Sequence, residues 1–296
     1  MANNFTLIKK YIALLDEVYK KYTLTGDLEA DASTIRQGNN THEILVPKMD
    51  MDGLADYDRT TGYADGSTTL EWETKAFNYD RGRRFNVDVM DDEETAGLAF
   101  GKLASEFIRT KAVPELDALR FATYASKAGT VKSENISSGT NVCDAITVAN
   151  NTLDEAEVNE EGRILFITPT LYNAVLALDT YKSKKMLEGF AKVVKVPQTR
   201  FYSAVSLLSG KVVTSGETST DETMGGFKKA SAGKNLNFLI VQNRSPLQYT
   251  KHSVNKIITP EANQTSDGWM FFYRAYGITD VYDNKKKGIY ASVGTT

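Results

Sequence analysis

The sequence predicts an α+β fold with a projecting β-hairpin, one long helix, an α/β middle and long closing strands. Three observations carry that expectation. Two alternating runs, TTLEWETKAF and RRFNVDVM, flank the short stretch NYDRG, and alternation around an Asp- and Gly-containing turn is a hairpin signal. Leu98, Phe100, Leu103 and Phe107 then recur at spacings near three and four, the period of a helix. From Val142 a helix face (Val142, Ile146, Ala149, Leu153) leads to the apolar run RILFIT and a Thr168-Pro169 helix start, the order of an α/β unit.

Taken in order, Leu7, Tyr11, Leu14, Leu15, Val18 and Tyr22 fall at helical spacing, with Gly26 as a stop. Such a helix ordinarily packs on its own core. Its terminal position, and the polar RQGNNTH from Arg36 to His42, favour an arm laid on a neighbouring subunit. His42 to Lys48 alternates, with Ile44 and Val46 on one face, and Pro47 confines this strand to an edge or an end. A polar stretch runs from Met49 to Thr69. In the hairpin, Leu70, Trp72 and Thr74 share one face and Glu71, Glu73 and Lys75 the other. On its second strand Phe85, Val87 and Val89 oppose Arg84, Asn86 and Asp88. With charge on both strands it is expected to project rather than bury both faces.

The long helix spans about Glu93 to Ala125, kinked or broken at Pro114, which lacks a donor and clashes with the preceding turn. Glu115 and Asp117 then read as acids in a fresh first turn. Leu171, Val175 and Leu178 continue the helix after Pro169, and KVVKVP is a further strand. Ser209 to Asn235, rich in Ser, Thr, Gly and Lys, reads as an exposed loop with a short strand at Val212 and Val213. NLNFLIVQ, LQYTKHSVNKIIT and GWMFFYRAYGITDVYDNKKKGIYAS supply the closing strands, and no internal repeat is present.

Composition narrows the function. The 296 residues are 41% hydrophobic and 25% charged, ordinary for a globular chain. A net charge of −3 argues against a protein that chiefly grips nucleic acid. One cysteine, Cys143, excludes an internal disulfide and fits a reducing compartment. No apolar run reaches the ~18 residues that span a bilayer, and Lys9, Lys10, Asp16 and Glu17 interrupt any signal-peptide core.

Catalytic and ligand motifs fail one by one. An EF-hand loop needs Gly at its sixth position, but counting from Asp50 finds Ala55 and from Asp56 finds Thr61. A phosphate loop needs Gly, four residues, then Gly-Lys-Ser/Thr. Gly233-Lys234 is followed by Asn235, Gly210-Lys211 lacks the earlier glycine, and no G-x-G-x-x-G occurs. Two histidines, His42 and His252, leave little for metal or acid–base work. Cys143 could pair with either, but it stands on an apolar helix face, where a small buried thiol is the usual role. Asp91 to Glu94, with Asp88 before them, sit where a helix starts and its dipole favours acids by ~0.3–1 kcal/mol each. No cofactor or metal is expected. Arg81, Arg83 and Arg84 lie at a hairpin turn rather than at a phosphate-binding helix start. Asp56, Asp58, Glu71 and Glu73 are available partners, and as a cluster the arginines suit contact with another subunit.

The ordered segments together resemble the major capsid proteins of tailed bacteriophages, in a branch common among phages of Gram-positive bacteria, whose shell fold is shared with encapsulins. The resemblance lies in GLADYDRTTGY, NYDRGRRFNVDVMDDEETAG and FIRTKAVPELDALRFATYAS. It continues through ILFITPTLYNAVL, KVVKVPQTRF and DGWMFFYRAYGITDVYDNKKKGIYAS, covering most of the chain in the family's order.

It implies a plate-like subunit with an N-terminal arm at 1–40, a peripheral-domain strand at 41–52 and an extended loop at 53–82. A peripheral domain with its spine helix follows at 83–130, an axial domain at 131–246, peripheral strands at 247–275 and a final axial strand and C-terminus at 276–296. Contacts between subunits are expected at Arg59, Glu71, Glu73, Arg81, Arg83 and Arg84, and on the arm at Leu7, Tyr11 and Leu15. The resemblance implies a structural protein, not an enzyme. It would assemble in a host bacterial cytoplasm through hexamers and pentamers into an icosahedral virion capsid, without a membrane. The shell would enclose double-stranded DNA without sequence-specific binding, beside portal and head-completion proteins. Because the arm begins at once, a separate scaffolding protein or unaided assembly is expected. Lys75 and Asn284 do not match the family's Lys–Asn cross-link residue by residue, so none is expected. An encapsulin-like compartment and a metal- or phosphate-dependent enzyme are the alternatives.

Overall fold

The computed structural model describes residues 22–30, 36–37, 42–94, 98–215 and 218–295. The amphipathic N-terminal run through Leu7, Tyr11 and Leu15 lies outside them. Tyr22 is helical and Thr23 is not, so the helix stop precedes Gly26, which instead opens a 3-10 turn over Gly26–Leu28.

The first sheet is a hairpin other than the one the sequence predicts. Strand β1 (Arg36–Gln37) pairs with β2 (Glu43–Met51), and β2 pairs over its whole length with β3 (Thr68–Ala76), from Glu43↔Ala76 to Met51↔Thr68. Residues 52–67 form its tip, closed by an Asp58↔Gly62 bridge. The expectation that Pro47 confines its strand to an edge or an end is not met, because β2 is the middle strand of this sheet; Pro47 pairs with Trp72 of β3 and lies outside the Ile44–Leu45 stretch that pairs with β1.

The expected hairpin between TTLEWETKAF and RRFNVDVM is not formed. Strand β4 (Tyr79–Asp88) pairs instead with β14 (Gly268–Val281), which pairs in turn with β13 (Pro246–Ile258). The chain changes sheets at Phe77 and Asn78. Phe77 still donates its N–H to the His42 carbonyl, extending the β2–β3 ladder. The Asn78 side chain then both donates to the Thr279 carbonyl (2.7 Å) and accepts from its N–H (3.0 Å), imitating a strand partner and steering β4 onto β14. Tyr79 to Gly82, expected in the turn, are therefore strand. Alternation fixed the faces of both runs but carried no information on their partner, which lies far along the chain.

Helix α1 (Val89–Glu94) starts four residues earlier than expected, with Asp91 and Asp92 in its first turn and the Asp88 carboxylate accepting from the Met90 N–H. Helix α2 (Leu98–Phe107) continues through a π-turn (Ile108–Ala112) into α3 (Val113–Ser126). The irregularity expected at Pro114 is this π-turn: the Val113 N–H reaches back to the Ile108 carbonyl, accommodating the residue that cannot donate. Phe107, Ile108, Val113 and Leu116 pack with Tyr79, Phe85, Phe271 and Tyr273 on one face of the β4–β14–β13 sheet.

The second unit is a five-stranded sheet. Its strands are β5 (Thr130–Ser133), β6 (Arg163–Ile167), β7 (Lys192–Lys195), β12 (Leu236–Gln242) and β15 (Ile289–Val293), in the order β5-β15-β12-β6-β7. The pairings of β12 are antiparallel and those of β5 and β7 parallel. Both faces are covered, so successive residues go to opposite cores. Ile164, Phe166, Leu239 and Ile289 meet Phe121 and Tyr124 of α3. Leu165, Ile167, Ile240 and Tyr290 meet α4 (Gly139–Glu155), α5 (Pro169–Leu176) and α6 (Tyr181–Glu188). Thus α3 packs its first half on one sheet and its last turns on the other. Cys143 packs beside the α4 core, and burial pushes its thiol pKa up. The segment expected as a loop holds two short ladders: β8 (Val205–Leu207) with β11 (Phe227–Lys229), and β9 (Val212–Ser215) with β10 (Thr218–Asp221).

Candidate functional site

The hairpin is amphipathic in the register that its sequence fixes. Pro47 faces Trp72, Met49 faces Leu70 and Met51 faces Thr68, so Trp72, Leu70, Met49 and Met51 share one face. All four are exposed, Met51 at 63% and Leu70 at 53%. Arg36 stacks its guanidinium 4.8 Å from the Trp72 ring. At the tip Leu54 is fully solvent-exposed, and Tyr57 meets Tyr63 edge-on at 4.8 Å. The opposite face begins with Ile44 and Val46, buried against Leu247 and Ile278, and continues outward as Lys48 opposite Glu71 and Asp50 opposite Thr69. Arg59 stands at the tip, where the Thr60 N–H beside Asp58 holds that carboxyl below its ordinary range. Arg36 lies over the Trp72 end of the stripe, and Leu70, Met49 and Met51 stay more than half exposed among the described residues. The Leu70/Trp72 alternation exposed half of it to sequence reading. Met49 and Met51 were hidden by the polar stretch around them.

An ion network fixes the hairpin's root. The Lys75 ammonium lies 2.6 Å from Glu73, 2.9 Å from Asp283 and 3.7 Å from Asp280. Asp280 also binds Lys127 at the end of α3, and Asp283 binds Lys286. Burial works against the Lys75 charge, but the Glu73, Asp283 and Asp280 carboxylates outweigh it and hold its pKa above the ordinary value. Contact with Glu73, then the ammonium groups of Lys286 and Lys75, keeps the Asp283 carboxyl well below the usual range. Glu73 is therefore an internal anchor of the hairpin.

The three arginines do not cluster. Successive residues of a strand point to opposite faces, which separates Arg84 from Arg81 and Arg83. Arg81 turns inward. Its Nε donates to Glu115 Oε1 (2.8 Å), its Nη2 to Glu115 Oε2 (3.3 Å) and to the Gly226 carbonyl (3.2 Å), and its Nη1 to the Leu208 carbonyl (2.7 Å). Arg83 donates to the Thr223 carbonyl at 3.0 Å. Arg84 lies on the outer face, in a cross-strand row with Phe272 of β14 and Lys256 of β13. The acids after Pro114 are more than first-turn acids. Glu115 receives Arg81. Asp117, fully buried, accepts from Thr23 Oγ1 (3.0 Å), the Leu24 N–H (3.1 Å), Thr25 Oγ1 (2.8 Å) and Arg200 Nη1 (3.4 Å). Sequence reading missed both roles, because a buried acid and a helix-start acid look alike in one dimension.

Among the described residues no three His, Cys, Asp or Glu side chains are grouped to hold a metal ion, and no helix is long and apolar enough to cross a membrane. What the geometry offers is a long arm of sheet with an unburied apolar face, tied at its root to the body by the Lys75 network and the Ile44–Val46 core.

That architecture is the shell-protein fold of tailed-phage capsids. Solved structures with this fold match nearly the whole chain at low identity. A Gordonia phage Cozz structure is 11% identical over 94% of this chain and 86% of its own, with a TM-score of 0.56. The capsid structure of the cyanophage P-SCSP1u is 12% identical over 93% and 88%, with a TM-score of 0.55. A virus-like particle from Pyrococcus furiosus is 11% identical over 97% and 99%, with a TM-score of 0.55. No family model and no curated protein matches the sequence.

Proposed function

We propose that this chain is the major capsid protein of a tailed phage, a structural subunit that assembles with copies of itself into an icosahedral shell around double-stranded DNA. The observation that carries the reading is the hairpin: nine-residue strands with Trp72, Leu70, Met49 and Met51 unburied on one face, on a body with the shell fold. An exposed contiguous apolar face of this kind marks an interaction surface, and a second copy of the same chain supplies it in a shell. A compartment shell shares the fold. The ordered series of phage-like motifs from GLADYDRTTGY to DGWMFFYRAYG favours the capsid.

On this reading residues 1–40 are the arm, α2 and α3 form the spine helix and the five-stranded unit is the axial domain; the extended loop, expected at 53–82, is redrawn as the β2–β3 hairpin, because Tyr79 to Gly82 pair with β14 and 43–51 pair with β3. Arg59, Glu71 and Arg84 are the contact residues that face outward, with Leu7, Tyr11 and Leu15 on the arm. Arg81, Arg83 and Glu73 serve contact indirectly, by setting the shape presented. Hexamers and pentamers, a separate scaffolding protein, and portal and head-completion proteins complete the assembly, in the cytoplasm of a host bacterium.

Negative-stain electron microscopy of the expressed chain tests this. Closed shells, tubes or capsomer rings are expected; a protein that stays monomeric at high concentration overturns it. Mass spectrometry of particles purified from their native source separates the two shell types. Portal and packaged DNA mark a capsid, and a stoichiometric cargo enzyme marks a compartment.

A further inference from the structure

The ribbon from Val205 to Lys229 leaves the five-stranded unit and lies across β4 of the other. Its base is defined by the β8–β11 ladder and by a Tyr202↔Asn235 bridge. Leu207 packs beside the core under α2 and α3. Beyond Leu207, two arginines of β4 hold the ribbon by its backbone: Arg81 on the Leu208 and Gly226 carbonyls, Arg83 on the Thr223 carbonyl.

Three features make this more than incidental contact. Arg81 holds Glu115 with its remaining donors, one residue after Pro114 and directly past the π-turn, so β4, the start of α3 and the ribbon meet at one guanidinium. Burial opposes the Arg81 charge, yet Glu115 beside it more than compensates. Glycines at positive φ cluster where the ribbon's two strands leave its base: Gly210 at +74°, Gly225 at +65° and Gly226 at +85°. A Cβ at Gly210 or Gly225 would come within 3.3 or 3.0 Å of Arg83 Nη1. The glycines both permit the bend and leave room for the arginine. Beyond the glycines the Glu222 N–H donates to the Lys211 carbonyl (3.1 Å), tying the two departing strands together, and the Glu222 carboxylate accepts from the Ser209 N–H across the Gly210 bend.

We infer that the outer part of this ribbon, between Gly210 and Gly225, is a latch between the two sheet units, closed by Arg83 on the Thr223 carbonyl and hinged at Gly210, Gly225 and Gly226, where Arg81 fixes the hinge through the Leu208 and Gly226 carbonyls. Arg81 is its positioning residue. Opening the latch frees the outer part of the ribbon and leaves Leu207, the β8–β11 base and both sheets in place, because neither the β12 ladders nor the β14 ladders run through it. The inference stands apart from the proposed function, since it concerns the single chain.

Hydrogen exchange read by mass spectrometry tests it on the full chain. Arg81→Lys keeps a cation beside Glu115 but cannot span both carbonyls. Amides of 208–215 and 218–226 are expected to exchange about tenfold faster, with β12 and β15 at the parent rate. Gly225→Ala crowds Arg83 from the other side and is expected to give the same local pattern with Arg81 intact. Unchanged ribbon exchange in Arg81→Lys overturns the latch. So does a rise of equal size in β12 and β15, which would mean general loss of stability. Should Arg81→Lys fail to fold, Gly225→Ala decides by the same two criteria.

Discussion

Replacing Lys75 by methionine tests how the hairpin is held. The side chain is only 12% exposed, and its stem has the length of methionine, so packing changes little. In the parent, three ammonium groups (Lys75, Lys127, Lys286) face three carboxylates (Glu73, Asp280, Asp283). The variant leaves three carboxylates facing two. Breaking a buried pair in this way costs about 3–5 kcal/mol. Glu73 and Asp283 keep about a third of their exposure, so solvent screening brings the expected loss to about 2–3 kcal/mol at pH 7.

The pH dependence has a definite sign. In the parent, Asp283 has a depressed pKa, so its contribution is present above the unfolded value of about 3.9 and is lost as pH falls below it. Lys75, with a raised pKa, contributes fully below about 10.4 and is not at issue in acid. In the variant the surplus carboxylate is destabilising while ionised, and acid relieves it. The difference between parent and variant should therefore shrink between pH 7 and pH 4. Urea unfolding at pH 7, 5.5 and 4 measures it. A loss under 1 kcal/mol at neutral pH, or a difference that does not change with pH, would refute the account of the root.

Other consequences follow from single sites. Asp117→Ala leaves the Leu24 N–H and the hydroxyls of Thr23 and Thr25 without their buried acceptor; unfolding should show a loss of about 3–5 kcal/mol. Trp72→Ser with Leu70→Ser removes the apolar stripe from side chains that are exposed in the single chain, so Tm should move by no more than about 2 °C while particles disappear from micrographs. Arg84→Glu, on the outer row with Lys256, should give folded subunits that fail to close shells, and normal particles would remove Arg84 from the contact set. Arg83→Glu should instead raise protease cleavage within 208–226, because its partner is the chain's own Thr223 carbonyl.

Much of the fold was legible in sequence because it is written in local periodicity. Alternation assigned Ile44 and Val46 to one face, and Trp72 and Leu70 to another. The Thr168-Pro169 pair marked the start of α5, and Pro114 marked the irregular turn in the long helix. The charge on TTLEWETKAF marked a run that could not bury both faces, but the hairpin partner assigned to it was wrong: it pairs with β2, not with RRFNVDVM. The clustering of Arg81, Arg83 and Arg84 was an artefact of counting along the chain: a strand sends neighbours to opposite sides, so one arginine faces Glu115 and another faces solvent.

The sequence by itself determined most of the strand and helix segments and which face of each is apolar, because those depend on residues two to four apart; Tyr79 to Gly82 and the 209–229 ladders escaped it. Only the tertiary structure decided what each face meets. Strand β4 belongs to β14 rather than β3 through a ladder from Tyr79 to Asp88, which the Asn78 side chain extends onto Thr279. Glu115 and Asp117 can be buried acids because Arg81, Arg200 and the Thr23–Thr25 turn arrive from elsewhere in the chain with donors for them. Such choices are set by long-range geometry, in which a side chain's role depends on the donors brought to it, and no spacing along the chain encodes that.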